Sequence, residues 1–389
     1  MQSKWLLEKI TACFDRLSMN GVVSLVFKIP PFALSLSKGN RGVCRQPPAR
    51  TRQRWRASSF LIPLLVLASH AFPVHAASSP SKIVIAHAGM NARTVALWTA
   101  EEQKFFAKYG TDAQVIFIRQ APILLAGMSA GNVQIAATGG TSALLGASGG
   151  MDLKVVASLN GRVTYDLVAA ANIKSVKELR GKRFGLQGYG GTLWMAIMLG
   201  FEHLGVDPQH INFLVIGDQT VLAQALEAGR IDATALDPVF SRRLKQKGFT
   251  ILSELYQANL PFIGSGIVVN DSFTREQPET LENILKAVVE SIAFVLSPKN
   301  KSIVINTIKA HLKIADPALA EEGYQDVLRS LEKNPTPALE GMRNMHRLLR
   351  TRNPSIDKVK PEQLIDDRFM RKLDESGFIS RLYNAYGVK

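Results

Sequence analysis

Several patterns in this sequence carry residue types that chemistry needs. Gly127-Met128-Ser129-Ala130-Gly131 matches G-x-S-x-G, the turn that exposes a nucleophilic serine. That turn needs a strand before it and a helix after it. Here Ser129 follows a helical pattern and precedes a strand-like run, so the context is reversed. Gly188 and Gly190 follow a strand-like run and open a helix, as a dinucleotide-binding turn does, but Leu193 stands where the third glycine belongs. His87, His203, His210, His311 and His346 show no metal-ligand spacing. Cys13 and Cys44 are the only cysteines, so residues 77–389 hold no thiol nucleophile, disulfide or cysteine-based zinc site. Arg93 opens the first helical pattern and Arg119 ends the second strand pattern. Either can pair with an anionic ligand, and either can be a solvated surface arginine. Tyr165, Tyr189, Trp194 and Phe240 offer aromatic pocket wall, although Trp194, in one helix with Met195 and Met198, fits a core position better.

The composition sets limits on this chemistry. The chain has 389 residues with 46% hydrophobic and 20% charged side chains, an ordinary globular composition with length for two or three domains. Its net charge of +15 points at first to nucleic acid or membrane. Residues 1–76 hold 11 basic and 2 acidic residues, leaving 36 and 30 for residues 77–389. A small surplus spread over a large body favours solubility and does not mark a nucleic-acid groove.

Arg50, Arg52, Arg54 and Arg56 precede the apolar run Phe60–Ala68, and Val74-His75-Ala76 makes a small-residue site before Ala77. This order defines a secretory signal peptide over 50–76, with the mature chain starting near Ala77. The apolar run is too short for a bilayer, which needs about 20 residues. With no cysteine after it, a free periplasmic protein is expected and not a lipoprotein. Residues 1–49 lack a periodic apolar pattern and are interrupted by Pro30-Pro31 and Pro47-Pro48. They read as a non-native, disordered extension, resembling translated intergenic repeats.

Beyond the leader, short apolar runs alternate with helical patterns. Strands are expected at 83–86, 115–118, 135–138 and 155–157, and again at 166–169, 183–186, 213–216, 233–236 and 266–269. Helices lie between them, the first running from about Val95 to Gly110. From Pro278 onward the pattern is helical. Such alternation predicts parallel sheets covered by helices, in two units with a ligand between them and crossovers near Tyr165-Asp166 and Gly264–Gly266.

The phrases Phe105–Gly110, Met128–Ala136, Gly139–Ser142, Gly149–Val156, Ile173–Gly185 and Leu226–Ala233, followed by Leu236-Asp237-Pro238, occur in a characteristic order. In this order and spacing the chain resembles the periplasmic binding proteins of ABC importers for sulfonates, taurine, nitrate and thiamine-pyrimidine precursors, from about Ile83 to Asn270. The resemblance implies an α/β, two-lobed, type II periplasmic-binding-protein fold with two crossovers and a helical C-terminal tail. Lobe I would comprise 82–165 and 267–389, and lobe II 166–266. It implies a monomer that captures a small polar or anionic ligand and delivers it to an inner-membrane permease, without catalysis, cofactor, metal or nucleic acid. The site residues carried over are Met90, Asn91, Gln120, Gly140, Thr141, Ser142, Tyr165, Gly190, Gly191, Thr192, Asp218 and Asp237. Most lie in turns that open helices, where backbone N–H groups approach a polar ligand; the same turns also serve as plain helix caps. Two rivals share the fold. A thiamine-pyrimidine synthase characteristically uses a cysteine-rich motif, which residues 77–389 lack. A kinase sensor module would require a membrane span after the body, and the sequence reaches Lys389 without one.

Overall fold

The structure, a computed structural model, describes residues 82–388. The expected extension over 1–49 and leader over 50–76 lie outside the described residues. The chain opens with β1 (Ile83–His87), α1 (Val95–Glu102), α2 (Phe105–Lys108), β2 (Ala113–Phe117), α3 (Ala121–Ser129), β3 (Ile135–Thr138), α4 (Gly140–Ser148) and β4 (Leu153–Arg162). The helix expected to run to Gly110 breaks at Lys104, whose φ of 59° is left-handed. A second series follows: β5 (Asp166–Ala169), β6 (Arg183–Leu186), α5 (Thr192–Leu204), β7 (Asn212–Val215), α6 (Gln219–Glu227), β8 (Ala233–Leu236), α7 (Pro238–Gln246) and β9 (Thr250–Glu254). The chain then returns through β10 (Pro261–Asn270). It ends in helices α8 (Asp271–Glu276), α9 (Pro278–Leu296), α10 (Lys301–Leu312), α11 (Pro317–Ser330), α12 (Leu339–Leu349), α13 (Pro361–Leu364), α14 (Arg368–Glu375) and α15 (Phe378–Tyr386).

The strands form two open five-stranded sheets, ordered β2-β1-β3-β10-β4 and β7-β6-β8-β5-β9. In the first, β1 runs parallel to β2 and β3, placing Ile85 opposite both Val115 and Ile135. In the second, β6 runs parallel to β7 and β8. The sheets are nevertheless mixed, not purely parallel. Each contains one crossing strand set against its neighbours: β10 is antiparallel to β3 and β4, and β5 to β8 and β9. With helices on the sheets and a helical tail, this is a two-lobed, type II periplasmic-binding-protein architecture.

Apolar spacing explains the layers. In α9, Leu281, Ile284, Leu285, Val288 and Ile292 recur at helical intervals and are fully buried with Trp98, Phe105 and Phe106 in one core cluster. Burying such a side chain stabilises by about 1.5–3 kcal/mol. A second cluster joins Phe184, Leu222 and Ala235 to Leu193, Met195 and Phe201 of α5. It continues through Met342 and Met345 of α12 to Leu124, Met128 and Leu144 beside the first sheet. The tail helix α12 therefore packs against both halves. Gly341 makes this possible, because a Cβ there would lie 2.9 Å from the Phe262 backbone.

Candidate functional site

A cavity of about 390 Å³ lies between the two sheets. Its floor is built where strands end. His87 closes β1 and Thr138 closes β3, while Gln187 follows β6 and Asp237 follows β8. Ligands of open α/β sheets sit beyond the carboxyl ends of strands, where backbone N–H groups and loop side chains converge. Asn91, Arg93, Arg119, Ser142, Asn160, Arg162, Tyr165, Thr192, Gln219, Phe262, Gly264 and Ser265 complete much of the wall. Most of these side chains can donate or accept hydrogen bonds.

Of the twelve site residues that the resemblance carried over, Asn91, Ser142, Tyr165, Thr192 and Asp237 line this cavity, as do the two arginines singled out from sequence, Arg93 and Arg119. The other seven carried-over residues lie off it in this arrangement. Met90 is 44% exposed. Gln120 is the residue before α3, and Gly190 and Gly191 form the turn before α5. Gly140 packs beside Met345 and Ile263, since a Cβ there would meet them at 2.9 and 3.1 Å. Thr141 is buried, with its hydroxyl 3.4 Å from that of Thr192 and 3.7 Å from the Met195 sulfur. The Asp218 carboxylate caps α6, accepting from the backbone N–H groups of Thr220 and Val221 at 3.0 and 3.1 Å. Of the aromatic candidates, Tyr165 reaches the wall. Trp194 is core, and exposed Tyr189 carries the Arg352 guanidinium 4.7 Å from its ring centroid.

Arg93 and Arg119, left equivalent by the sequence, differ sharply. The Arg93 Nε donates to Asp326 Oδ2 at 2.9 Å, and Nη2 donates to Asp326 Oδ1 at 3.1 Å and to the Thr164 carbonyl at 3.3 Å. The same Nη2 lies 2.9 Å from Asp237 Oδ1, and the guanidinium sits 5.4 Å from the Tyr165 ring centroid. Burial alone would lower the affinity of Arg93 for its proton, but Asp237 and Asp326 outweigh it and raise the pKa. Burial likewise raises the Tyr165 phenol, so it stays protonated. Arg162 is also engaged, donating to both carboxylate oxygens of Glu332 at 2.9 Å. Arg119 is exposed and makes no ion pair or hydrogen bond among the described residues.

His87 is the main wall residue that sequence reasoning missed. It is buried, with Nδ1 2.8 Å from the Gly89 carbonyl and Nε2 3.3 Å from Trp98 Nε1. A carbonyl only accepts and an indole N–H only donates, so the ring is neutral with its proton on Nδ1. Burial lowers its pKa from 6.5, partly opposed by the Gly89 carbonyl. Trp98 in turn stacks on His311 at 4.3 Å, and His311 Nε2 meets Glu102 Oε1 at 2.8 Å. Gln187 and Asn160 were also missed as site residues, whereas Gln219 lies in the Gly217-Asp218-Gln219 turn that the resemblance implies as a pocket loop. Gln187 adjoins the noted Gly188, which was its available signal. Gln219 accepts the Asp237 backbone N–H at 3.0 Å.

Among the described residues, no group of three or more His, Cys, Asp or Glu side chains is placed to hold a metal ion. Contacts between the halves flank the cavity. Besides Arg93 and Asp237, Arg347 of α12 forms a two-pronged pair with Glu202 of α5 at 2.7 Å. At Gly139 a Cβ would lie 2.9 Å from the Thr192 hydroxyl oxygen.

Comparison with known proteins agrees with this architecture. The chain is 26% identical over 176 residues to the riboflavin-binding protein RibY of Chloroflexus aurantiacus. That match spans 42% of this chain and 47% of the relative, so it covers under half of either. Among solved structures, the periplasmic aliphatic sulphonate binding protein SsuA of Escherichia coli superposes with a TM-score of 0.61 at 17% identity, over 74% of this chain and 93% of that one. The periplasmic nitrate-binding protein NrtA of Synechocystis PCC 6803 gives 0.57 at 12% identity, over 76% and 89%. At these identities the shared property is the fold. The family profile described as NMT1/THI5 like matches residues 91–301, more than half of the sequence, and the chain belongs to that family.

Proposed function

We propose that this protein is the solute-binding component of an ABC importer, capturing a small polar ligand with an acidic group between its two lobes and passing it to a membrane permease. The observation that carries this reading is a cavity walled by the strand ends of both sheets, in which one arginine has no partner among the described residues. Arg119 is the anion receptor in this reading, because Arg93 and Arg162 already hold carboxylates. Asn91, Ser142, Tyr165, Thr192 and Asp237 are proposed as ligand contacts with it, joined by Asn160, Gln187 and Gln219. The printed names of the similar proteins speak of a sulphonate, nitrate and riboflavin, solutes that share polar or charged acceptor groups. The reading involves no reaction. Both ring nitrogens of His87, the cavity's histidine, are committed to protein groups.

The same reading places the mature protein in the periplasm, after removal of residues 50–76, with lobe I formed by 82–165 and 267–389 and lobe II by 166–266. Its test is chemical. Small molecules released from denatured protein are identified by mass spectrometry, and the identified compound is titrated into wild type and Arg119→Gln. Loss of a charged hydrogen bond is expected to weaken binding by about 10- to 150-fold. Equal affinity in the two proteins would refute the role of Arg119. Failure to release or bind any small acid would refute the transport reading.

A further inference from the structure

The charges around the cavity are distributed unevenly, and this bears on what the ligand carries. Arg162 is neutralised by Glu332. Arg119 has no partner among the described residues, so one part of the wall is positive. Arg93 faces two carboxylates, Asp237 and Asp326, each 2.9 Å away. With both ionised, that cluster has one negative charge in excess. Asp326 does not line the cavity, whereas Asp237 does.

Hydrogen-bond geometry separates the two carboxylates further. Asp326 receives directed N–H bonds from both Nε and Nη2 of Arg93. The remaining Nη2 donation goes to the Thr164 carbonyl. Asp237 Oδ1 is paired with the guanidinium at 2.9 Å but lies outside the directed N–H geometry that Asp326 receives, so this buried oxygen is open to a further donor. The Asp237 side chain is 15% exposed and opens onto the cavity. Burial pushes its carboxyl above the ordinary range, Arg93 opposes the shift and Asp326 adds to it. A buried carboxylate oxygen without a well-directed donor is the group that a ligand N–H would satisfy.

We propose that Asp237 is a specificity-determining acceptor that takes a protonated amine or N–H group of the ligand while Arg119 takes its acidic group, so that the cavity selects a molecule bearing both over a bare oxyanion. This rests on the solute-binding reading and narrows its ligand class. A simple anion gains Arg119 but meets the excess negative charge at Asp237 and Asp326. A molecule with a donor at its far end gains both contacts.

The test uses matched small acids that differ only in an amino group: β-alanine against propionate, and γ-aminobutyrate against butyrate. Each is titrated calorimetrically into the full chain, with thermal melts alongside. Wild type is expected to bind the amino member of at least one pair tenfold or more tighter than its partner. Asp237→Asn, nearly identical in shape, is expected to erase that ratio by weakening the amino acid and strengthening the plain acid, and Arg119→Gln to weaken both members. The ratio in wild type decides the matter even if a variant folds poorly. Equal binding of both members overturns the donor subsite and leaves the solute-binding reading standing. Binding of no probe overturns the proposed ligand class, while the solute-binding reading is judged separately by the released molecules. An unchanged ratio in folded Asp237→Asn would overturn the role of Asp237.

Discussion

At the scale of single residues, the site separates side chains by what already holds them. Arg93 and Arg119 had equal standing in the sequence because each lies beside an element end. What distinguishes them is Asp326, 233 positions from Arg93, a pairing that no local pattern announces. Asn91, Ser142, Tyr165, Thr192 and Asp237 were legible because polar residues in turns after strands mark where a pocket forms. His87 was not, because it is the last residue of an apolar strand and looks like core until Trp98 and Gly89 are seen around it. A buried acid supplies a measurable consequence. Asp166, 1% exposed, accepts a short hydrogen bond from the Ser241 hydroxyl and leaves its other oxygen unpaired. Burial pushes its pKa from 3.8 to about 6, with Ser241 opposing and Glu254 adding. The folded protein thus holds this proton more tightly than the unfolded chain. The resulting stabilisation is complete below 3.8 and is lost as pH rises through about 6. Asp166→Asn is neutral throughout. It is expected to exceed wild type in stability by about 2–3 kcal/mol at about pH 8, with the gap closing towards about pH 4. Denaturant melts at the two pH values check this, and a gap that stays constant would remove Asp166 as its cause.

At the scale of elements, the alternating pattern located most strands but not their directions. Period and length identify a strand, whereas direction depends on the path between strands. The crossing strands β5 and β10 arrive from the opposite half and therefore run against their neighbours. The strand β9 escaped sequence reading because all five of its residues are half-buried, giving no clear alternation. The tail was read only as helical, and its attachment depends on a polar knot. Glu290, with a side chain 3% exposed, accepts from Lys108 Nζ and from the hydroxyls of Tyr109 and Tyr386, all at 2.7 Å. Burial alone would raise the Glu290 carboxyl, but these donors hold it below its ordinary value. Tyr386→Phe removes the side-chain bond from α15 to Glu290 of α9 and leaves the Ser297 hydroxyl donating to the Tyr386 carbonyl. It should cost about 1.5–3 kcal/mol, the range for a hydrogen bond to a charged group. Hydrogen exchange should quicken in 378–386 before it does in β1 or β3. Unchanged stability and exchange would show that the bond to Glu290 does not hold α15 in place.

At the scale of the whole molecule, two sheets of opposite origin share one apolar cluster and one tail helix. Residues 166–254 supply every strand of the second sheet, whereas the first sheet needs residues from both sides of that segment. The sequence conveyed this division through the restart of the strand-helix pattern near Asp166. It did not convey how α12 bridges the halves, because the Arg347 and Glu202 contact joins surface residues 145 positions apart.

The place of β10 between β3 and β4 governs the order in which the protein can be built. As the chain emerges from its N-terminus β1 to β4 appear first, but β3 and β4 are joined only through β10, which follows all of the second sheet. The second sheet is complete at Glu254, before β10 begins at Pro261. Domains fold as units as the chain appears. The inserted half can therefore settle while the half made first still waits with two strand edges unpaired, where a chaperone could hold it. Chains ending at residue 260 are expected to protect amides of β5 to β8 from exchange and to leave those of β3 and β4 open. Protection appearing first in β3 would reverse this order.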